Sequence, residues 1–214
     1  MSKHQPTKKN TALILIDFQR DFCEKGGYAS HFAHSQKWIT SILPKAKLLL
    51  DWARKNNLFI VYTKEGYQPD LSDCDPFRLE KSQRIGAKIG SKGPLGRFLI
   101  KGEKGQQIIE LLKPLSNELV IDKPTYGAFT KSRLEQILKK KKIKFLIICG
   151  VTSDVCVHTT IHEATDRGFY CFYVRDAIST PDKYLRKACE KMVIAEGGVW
   201  GELTNTKKVL QLIK

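Results

Sequence analysis

No stretch of the 214 residues approaches the roughly 18–20 uninterrupted apolar residues that a membrane-spanning helix requires. The opening segment, Met1 to Asn10, is polar and lacks the apolar core of a secretory signal, so the cytoplasm is the expected compartment and these ten residues are expected to be flexible. The six cysteines (23, 74, 149, 156, 171 and 189) contain no CxxC pair and no close Cys/His spacing of the kind zinc sites use. A disulfide framework is not expected in a chain of this size without an export signal. No internal repeat or low-complexity tract is present.

What the chain has in excess is positive charge, formally +15. Lysines cluster at 139–142, joined by Lys144. Clustered cations on one face can mark a nucleic-acid footprint. The run also reads as the end of a helix over Ser132 to Lys142, where cations are favoured by the helix dipole. No nucleic-acid motif and no interleaved aromatics accompany it, so the solvated helix end is the reading adopted, with neither a nucleic-acid nor a membrane partner expected.

Short apolar runs alternate with longer amphipathic ones. Strands are predicted at Ala12–Asp17, Leu58–Thr63, Glu118–Ile121, Phe145–Cys149 and Phe169–Arg175, and helices at about 36–55, 104–113, 131–141, 154–167 and 182–196. Continuous apolar strands separated by helices imply a mostly parallel sheet covered on both faces. The expected class is α/β, a three-layer doubly wound sandwich forming one domain over residues 1–214, with ligands at the carboxyl ends of the strands. Residues 65–105, rich in Gly, Pro, Asp, Lys and Arg, break the alternation. They are expected to form a long loop that closes the site or builds a subunit contact.

Three residues fall where such a sheet presents reactive groups. Asp17 follows four aliphatics in Leu13-Ile14-Leu15-Ile16-Asp17. A carboxylate there is costly to bury unless paired, though Asp also favours turns and helix N-caps. Lys123 follows Leu119-Val120-Ile121-Asp122 and precedes Pro124; a lysine at a strand end can equally be a solvated one. Cys156 lies where the buried run Phe145–Cys149 passes through Gly150 into a helix. A thiol at a helix start faces unpaired N–H groups and the positive end of the dipole, which favour the thiolate and can hold an oxyanion. His158, two residues on, points about 200° away along a helix and makes a poor partner for it.

These segments resemble a known family. Asp17 in LILIDFQRDF, Lys123 in VIDKPTYGAF and Cys156 in ICGVTSDVCVHTT are similar in order and setting to the isochorismatase-like cysteine hydrolases, from about residue 11 to residue 203. The likeness tightens toward the biuret and triuret hydrolase branch in TKEGYQPDLSDC, RIGAKIGSKGPLGRFLIKGEKG and EATDRGFYC followed by GGVWG. The resemblance implies a cysteine amidohydrolase in which Cys156 is the nucleophile, Asp17 the proton carrier and Lys123 the group that orients Asp17. It implies a non-proline cis peptide at Val151–Thr152, an oxyanion hole from the Thr152 and Cys156 N–H groups, and a homo-oligomer, dimer or tetramer. The substrate it implies is a small linear amide or ureide, biuret-like, releasing ammonia through a thioester.

Two departures qualify the likeness. The Asp-x-His pair and further His that hold a metal in nicotinamidases of the superfamily are missing, so neither a metal nor any other cofactor is expected. Glu196 stands where the biuret hydrolases carry Gln, and Tyr67 and Gln68 replace a His-Arg pair. Glu196 in the pocket would favour a substrate rich in N–H donors or carrying positive charge; it could equally end its helix facing solvent. Phe22, Trp200 and Tyr67 are the other candidate substrate contacts, while Phe129 reads as core. Isochorismatase-type vinyl ether hydrolysis and nicotinamidase-type chemistry are the alternatives on the same fold. A basic nucleic-acid-binding protein on an inactive hydrolase fold is the alternative from another class.

Overall fold

The computed structural model describes residues 5–213. In chain order its elements are β1 (Thr11–Ile16), α1 (Arg20–Cys23), α2 (Lys37–Thr40), α3 (Leu43–Lys55), β2 (Phe59–Glu65), α4 (Pro76–Arg84), β3 (Lys92–Gly93), β4 (Gly96–Arg97), β5 (Leu119–Lys123), α5 (Leu134–Lys140), β6 (Phe145–Val151), α6 (Cys156–Asp166), β7 (Tyr170–Ser179), α7 (Lys183–Val193), α8 (Ala195–Gly198), β8 (Glu202–Thr204) and α9 (Thr206–Val209). Six strands form one sheet in the order β5-β2-β1-β6-β7-β8, every neighbouring pair parallel.

Every residue of β1 and of β6 is buried. Both faces at the middle of the sheet are therefore covered, as uninterrupted apolar runs require. On α3, Ala46, Leu49, Leu50 and Ala53 recur at helical spacing and are buried, and that helix packs on β1, β2 and β7. On α6, Val157, Thr160, Ile161 and Ala164 form the buried stripe, against β6 and β7. After β1 the chain builds outward through β2 to β5, then crosses back to β6 on β1's other edge. Strand order reverses at the β1/β6 pair, which is where ligands bind in such sheets.

Gly150 lets that pair close. Its φ is +141°, and a Cβ there would lie 2.3 Å from the Ile16 carbonyl oxygen, so only glycine lets β6 run this close to the end of β1. The register with β7 shifts between Ile148 and Gly150, an irregularity of the kind that re-aims a strand end.

The predicted helix over 104–113 is not formed; turns and a short 3-10 segment, Glu110–Leu112, take its place. The backbone there bonds to the chain after β1 instead: Arg20 N–H to the Gln107 carbonyl (2.8 Å), Asp21 N–H to Gly105 (2.7 Å) and Ile109 N–H to Phe18 (3.0 Å). Groups spent on those partners cannot build a helical ladder. The predicted helix over 182–196 ends at Val193.

The excursion over 65–105 carries structure of its own: α4, capped by Asp75, and the antiparallel pair β3–β4. It returns to the body through buried Tyr67, Ile89, Leu99 and Ile100. The flexible leader expected over residues 1–10 falls partly on residues 1–4, outside the described residues, while Thr7 and Asn10 close a turn in which the Thr7 N–H donates to Asn10 Oδ1 (2.7 Å). No described helix is long and apolar enough to cross a membrane.

Candidate active site

Four strand ends converge. Asp17 follows β1 with a left-handed φ of 53°, which turns its side chain back over the sheet edge. Its Oδ1 accepts the Thr63 hydroxyl at 2.6 Å, and its Oδ2 lies 2.8 Å from Lys123 Nζ, both side chains wholly buried. Neither the turn reading of Asp17 nor the solvated reading of Lys123 describes this pair. Lys123 Nζ also donates to the Thr125 and Tyr126 carbonyls, 2.9 Å each. With two of its three protons aimed there, it meets Asp17 through the ion pair, and Asp17 Oδ2 has no other hydrogen bond among the described residues. That oxygen is open to receive a proton. Burial acts to lower the Lys123 ammonium, but the Asp17 charge, with Glu65 near it, outweighs it and holds Lys123 above its ordinary range.

Cys156 is the first residue of α6, behind Val155, whose side chain does not cap the helix. The peptide Val151–Thr152 is cis. Around it, Ser153 N–H donates to Ser179, and Val155 and Val157 N–H to Thr152. The Thr152 and Cys156 N–H groups have no acceptor among the described residues, so both can face a ligand oxygen. Thr160 steadies the turn by donating to the Cys156 carbonyl at 2.7 Å and accepting from the Ala128 N–H at 3.2 Å.

One expectation is reversed. Burial pushes the Cys156 thiol well above its ordinary value, the Asp17 and Glu65 carboxylates add to this, and Lys123 opposes it. Desolvation beside two carboxylates thus works against the thiolate that a helix start would favour.

The carboxylate not foreseen is Glu65, the last residue of β2. Its Oε2 lies 3.7 Å from the Cys156 sulfur, and Oε1 accepts the Tyr67 hydroxyl at 2.7 Å. Arg78 of α4 donates to that hydroxyl at 2.9 Å, stands 3.4 Å from Glu65 Oε1 and stacks its guanidinium 3.6 Å over the Tyr126 ring. Gln19 clamps the Glu65 backbone on both sides, donating to its carbonyl at 2.8 Å and accepting its N–H at 2.7 Å. Asp17, Glu65 and Cys156 present donor atoms within 4.8 Å of one another, the one three-residue group among the described residues able to hold a metal ion. Lys123 already supplies positive charge at that point.

A cavity of about 410 Å³ opens onto Cys156, lined by Phe22, Tyr28, Phe32, Glu65, Arg78, Tyr126, Thr152 and Thr180 among others. Of the candidate substrate contacts, Phe22 lines this cavity. Tyr67 is fully buried and acts one step back, on Glu65. Glu196 does not line the cavity. It is exposed, because after α7 ends Glu196 (φ 50°) and Gly197 (φ 78°) turn the chain outward in left-handed conformations. Trp200 is also outside the cavity wall and stacks on His162 at 3.8 Å. His158 packs against His162 at 4.2 Å, not on Cys156. Phe129 is core, beside Phe169 at 5.7 Å.

Comparison with known proteins gives a consistent frame. The model of the isochorismatase domain matches residues 11–201. The chain is 27% identical over 166 residues to ureidoacrylate amidohydrolase RutB of Yersinia enterocolitica, covering 76% of this chain and 70% of that protein. It is 23% identical over 184 residues to ureidoacrylate amidohydrolase RutB of Azorhizobium caulinodans, covering 84% and 81%. In fold it is similar to a cysteine hydrolase from Pseudomonas syringae (TM-score 0.81, 24% identity, covering 99% and 97%). It is also similar to N-carbamoylsarcosine amidase from Thermoplasma acidophilum (TM-score 0.70, 20% identity, covering 92% and 96%).

Proposed function

The chain belongs to the isochorismatase family, and from that premise we propose that it is a cysteine amidohydrolase cleaving a C–N bond of a small linear amide or ureide. The observation that carries the proposal is the buried Asp17–Lys123 ion pair set beside a thiol that begins an uncapped helix. Asp17 Oδ2 takes the proton from Cys156 as the sulfur attacks the carbonyl carbon. The oxygen, now negative, is held by the Thr152 and Cys156 N–H groups. The C–N bond breaks, Asp17 returns its proton to the departing nitrogen, and ammonia leaves. A thioester remains. Water then attacks it, giving a proton to Asp17; the C–S bond breaks, and Asp17 returns the proton to the sulfur as the acid is released. Lys123 keeps Asp17 in place and offsets its charge throughout, a task that needs no metal ion.

Biuret-like compounds and ureidoacrylate share the ureide group, so that group is the substrate class favoured here. Exposed Tyr184, Leu185, Met192 and Ile194 support a homo-oligomer as part of the same reading, which sedimentation velocity would test. Ammonia release from ureidoacrylate and biuret, measured with and without a chelator, tests the chemistry. The expected result is chelator-insensitive release that disappears in Cys156→Ala; release undiminished in that variant overturns the proposal.

A further inference from the structure

An ion pair fixes where a carboxylate sits but not how it is turned. The terminal torsion of an aspartate is broad, and an ammonium is a point charge with no fork to match a carboxylate plane. Lys123 therefore leaves the rotation of Asp17 open, the more so because two of its donors go to the Thr125 and Tyr126 carbonyls. In so buried a pair the carboxylate would gain by turning both oxygens toward that charge. The orientation it holds beside the Cys156 sulfur, within 4.8 Å, would then be lost.

What sets the rotation is Thr63. Its hydroxyl donates to Asp17 Oδ1 at 2.6 Å, and such a bond is directional. The donor is itself held. The Asp17 N–H donates to the Thr63 carbonyl at 3.2 Å, the sheet sets Thr63 between Ile16 of β1 and Ile121 of β5, and a β-branched side chain has little χ1 freedom. Thr63 is wholly buried between two aliphatic positions, where a valine would serve packing as well. The hydroxyl's one acceptor among the described residues is the Asp17 carboxylate. We propose that Thr63 is a positioning residue for the reaction, holding Oδ1 so that Oδ2 alone meets Lys123 and takes the proton from Cys156. This rests on Asp17 being the proton carrier of the amidohydrolase reading.

Two variants of the full chain separate this role from packing, with ammonia release from ureidoacrylate as the readout. Thr63→Val keeps the shape and removes the donor; Thr63→Ser keeps the donor and removes a methyl. In Thr63→Val kcat should fall about 10²-fold through misplacement of the carboxylate. KM should stay within about twofold, as for an interaction that matters in the transition state. Thr63→Ser should recover most of the rate. A side chain that served packing alone would give the opposite order, since Ser leaves a gap where the methyl was and Val does not. Crystal structures of both variants add a readout that needs no turnover. The Asp17 carboxylate should turn toward Lys123 in Thr63→Val and keep its plane in Thr63→Ser. An unmoved carboxylate in Thr63→Val, full activity in that variant, or a Ser variant slower than the Val one overturns the role. If the unmodified chain releases no ammonia while the carboxylate turns as expected, the amidohydrolase reading falls and Thr63 still sets the carboxylate. Hydrolysis indifferent to both substitutions sinks the role of Thr63 alone.

Discussion

The Glu65 carboxylate ends β2 as Asp17 follows β1, and it stands 3.7 Å from the Cys156 sulfur. Two carboxylates thus flank one thiol, and both oppose its ionisation. The thiol should therefore alkylate slowly at neutral pH, with a midpoint in the rate–pH profile above 9.0, the ordinary value of a free thiol. Glu65→Gln removes one of those charges, and its midpoint should move down. It also leaves Arg78 without its charge partner and Tyr67 with only a neutral amide oxygen to donate to, so turnover should fall about 10²-fold through misplacement of the cavity wall. A midpoint that stays put would show that Glu65 and Cys156 are not electrostatically coupled.

The Asp17–Lys123 pair predicts that a second substitution offsets the first. Lys123→Met leaves a buried carboxylate without compensation and should cost about 3–5 kcal/mol. Adding Asp17→Asn removes the orphaned charge and should recover a good part of that loss while activity stays absent. Urea midpoints measured at one pH decide the matter. A double variant no more stable than Lys123→Met would mean that the pair contributes through packing rather than charge.

Legibility in the sequence followed the range of the forces involved. Asp17, Lys123 and Cys156 were legible as candidates because Asp17 directly follows an apolar run, Lys123 comes one residue after another, and Cys156 starts the helix reached from a third, and strand ends are where a parallel sheet gathers its polar groups. Glu65 follows the same rule, but the run before it loses its apolar character at Thr63-Lys64, so the apolar pattern stops two residues before the strand does. A charged residue closing a strand beside one that ends in Asp17 was the available signal. Arg78 had no local signal at all. It reaches Glu65 only because α4 folds back over the sheet edge, and its partners lie 11 to 48 residues away in sequence. The segment over 104–113 has helical periodicity, yet its carbonyls and N–H groups are claimed by the chain after β1, a long-range competition that periodicity cannot show.

Glu196 illustrates the limit of motif transfer. Its place before Gly197-Gly198 matched a pocket position, but two left-handed residues aim it at solvent. Glu196→Gln should leave both kcat and KM within about twofold, as expected for an exposed site away from the cavity. Steady-state kinetics with ureidoacrylate would check this. A KM change of an order of magnitude would place the side chain at the ligand after all, by way of a subunit contact.

Asp21 carries a pH dependence separate from the chemistry. It is buried and accepts the Leu99 N–H at 2.9 Å and the Tyr28 N–H at 3.3 Å, pinning the end of the excursion to α1. Burial raises its carboxyl to about 6, against the pull of those two backbone hydrogen bonds. An unfolded aspartate titrates near ~3.9, so between about pH 4 and about 6 the native state holds a proton that the unfolded state has released. With fewer protons on the unfolded chain, stability falls as pH rises through that window and stays lower above it, by about 3 kcal/mol at most. Asp21→Asn cannot titrate, and its stability should lose this decline while the Leu99 and Tyr28 contacts are only partly replaced. Denaturation free energies of the two proteins should therefore differ most at acid pH and converge as pH rises past about 6. Curves that run parallel from pH 4 to 8 would remove Asp21 from the account of acid behaviour and leave the carboxylates around Cys156 to explain whatever dependence is seen.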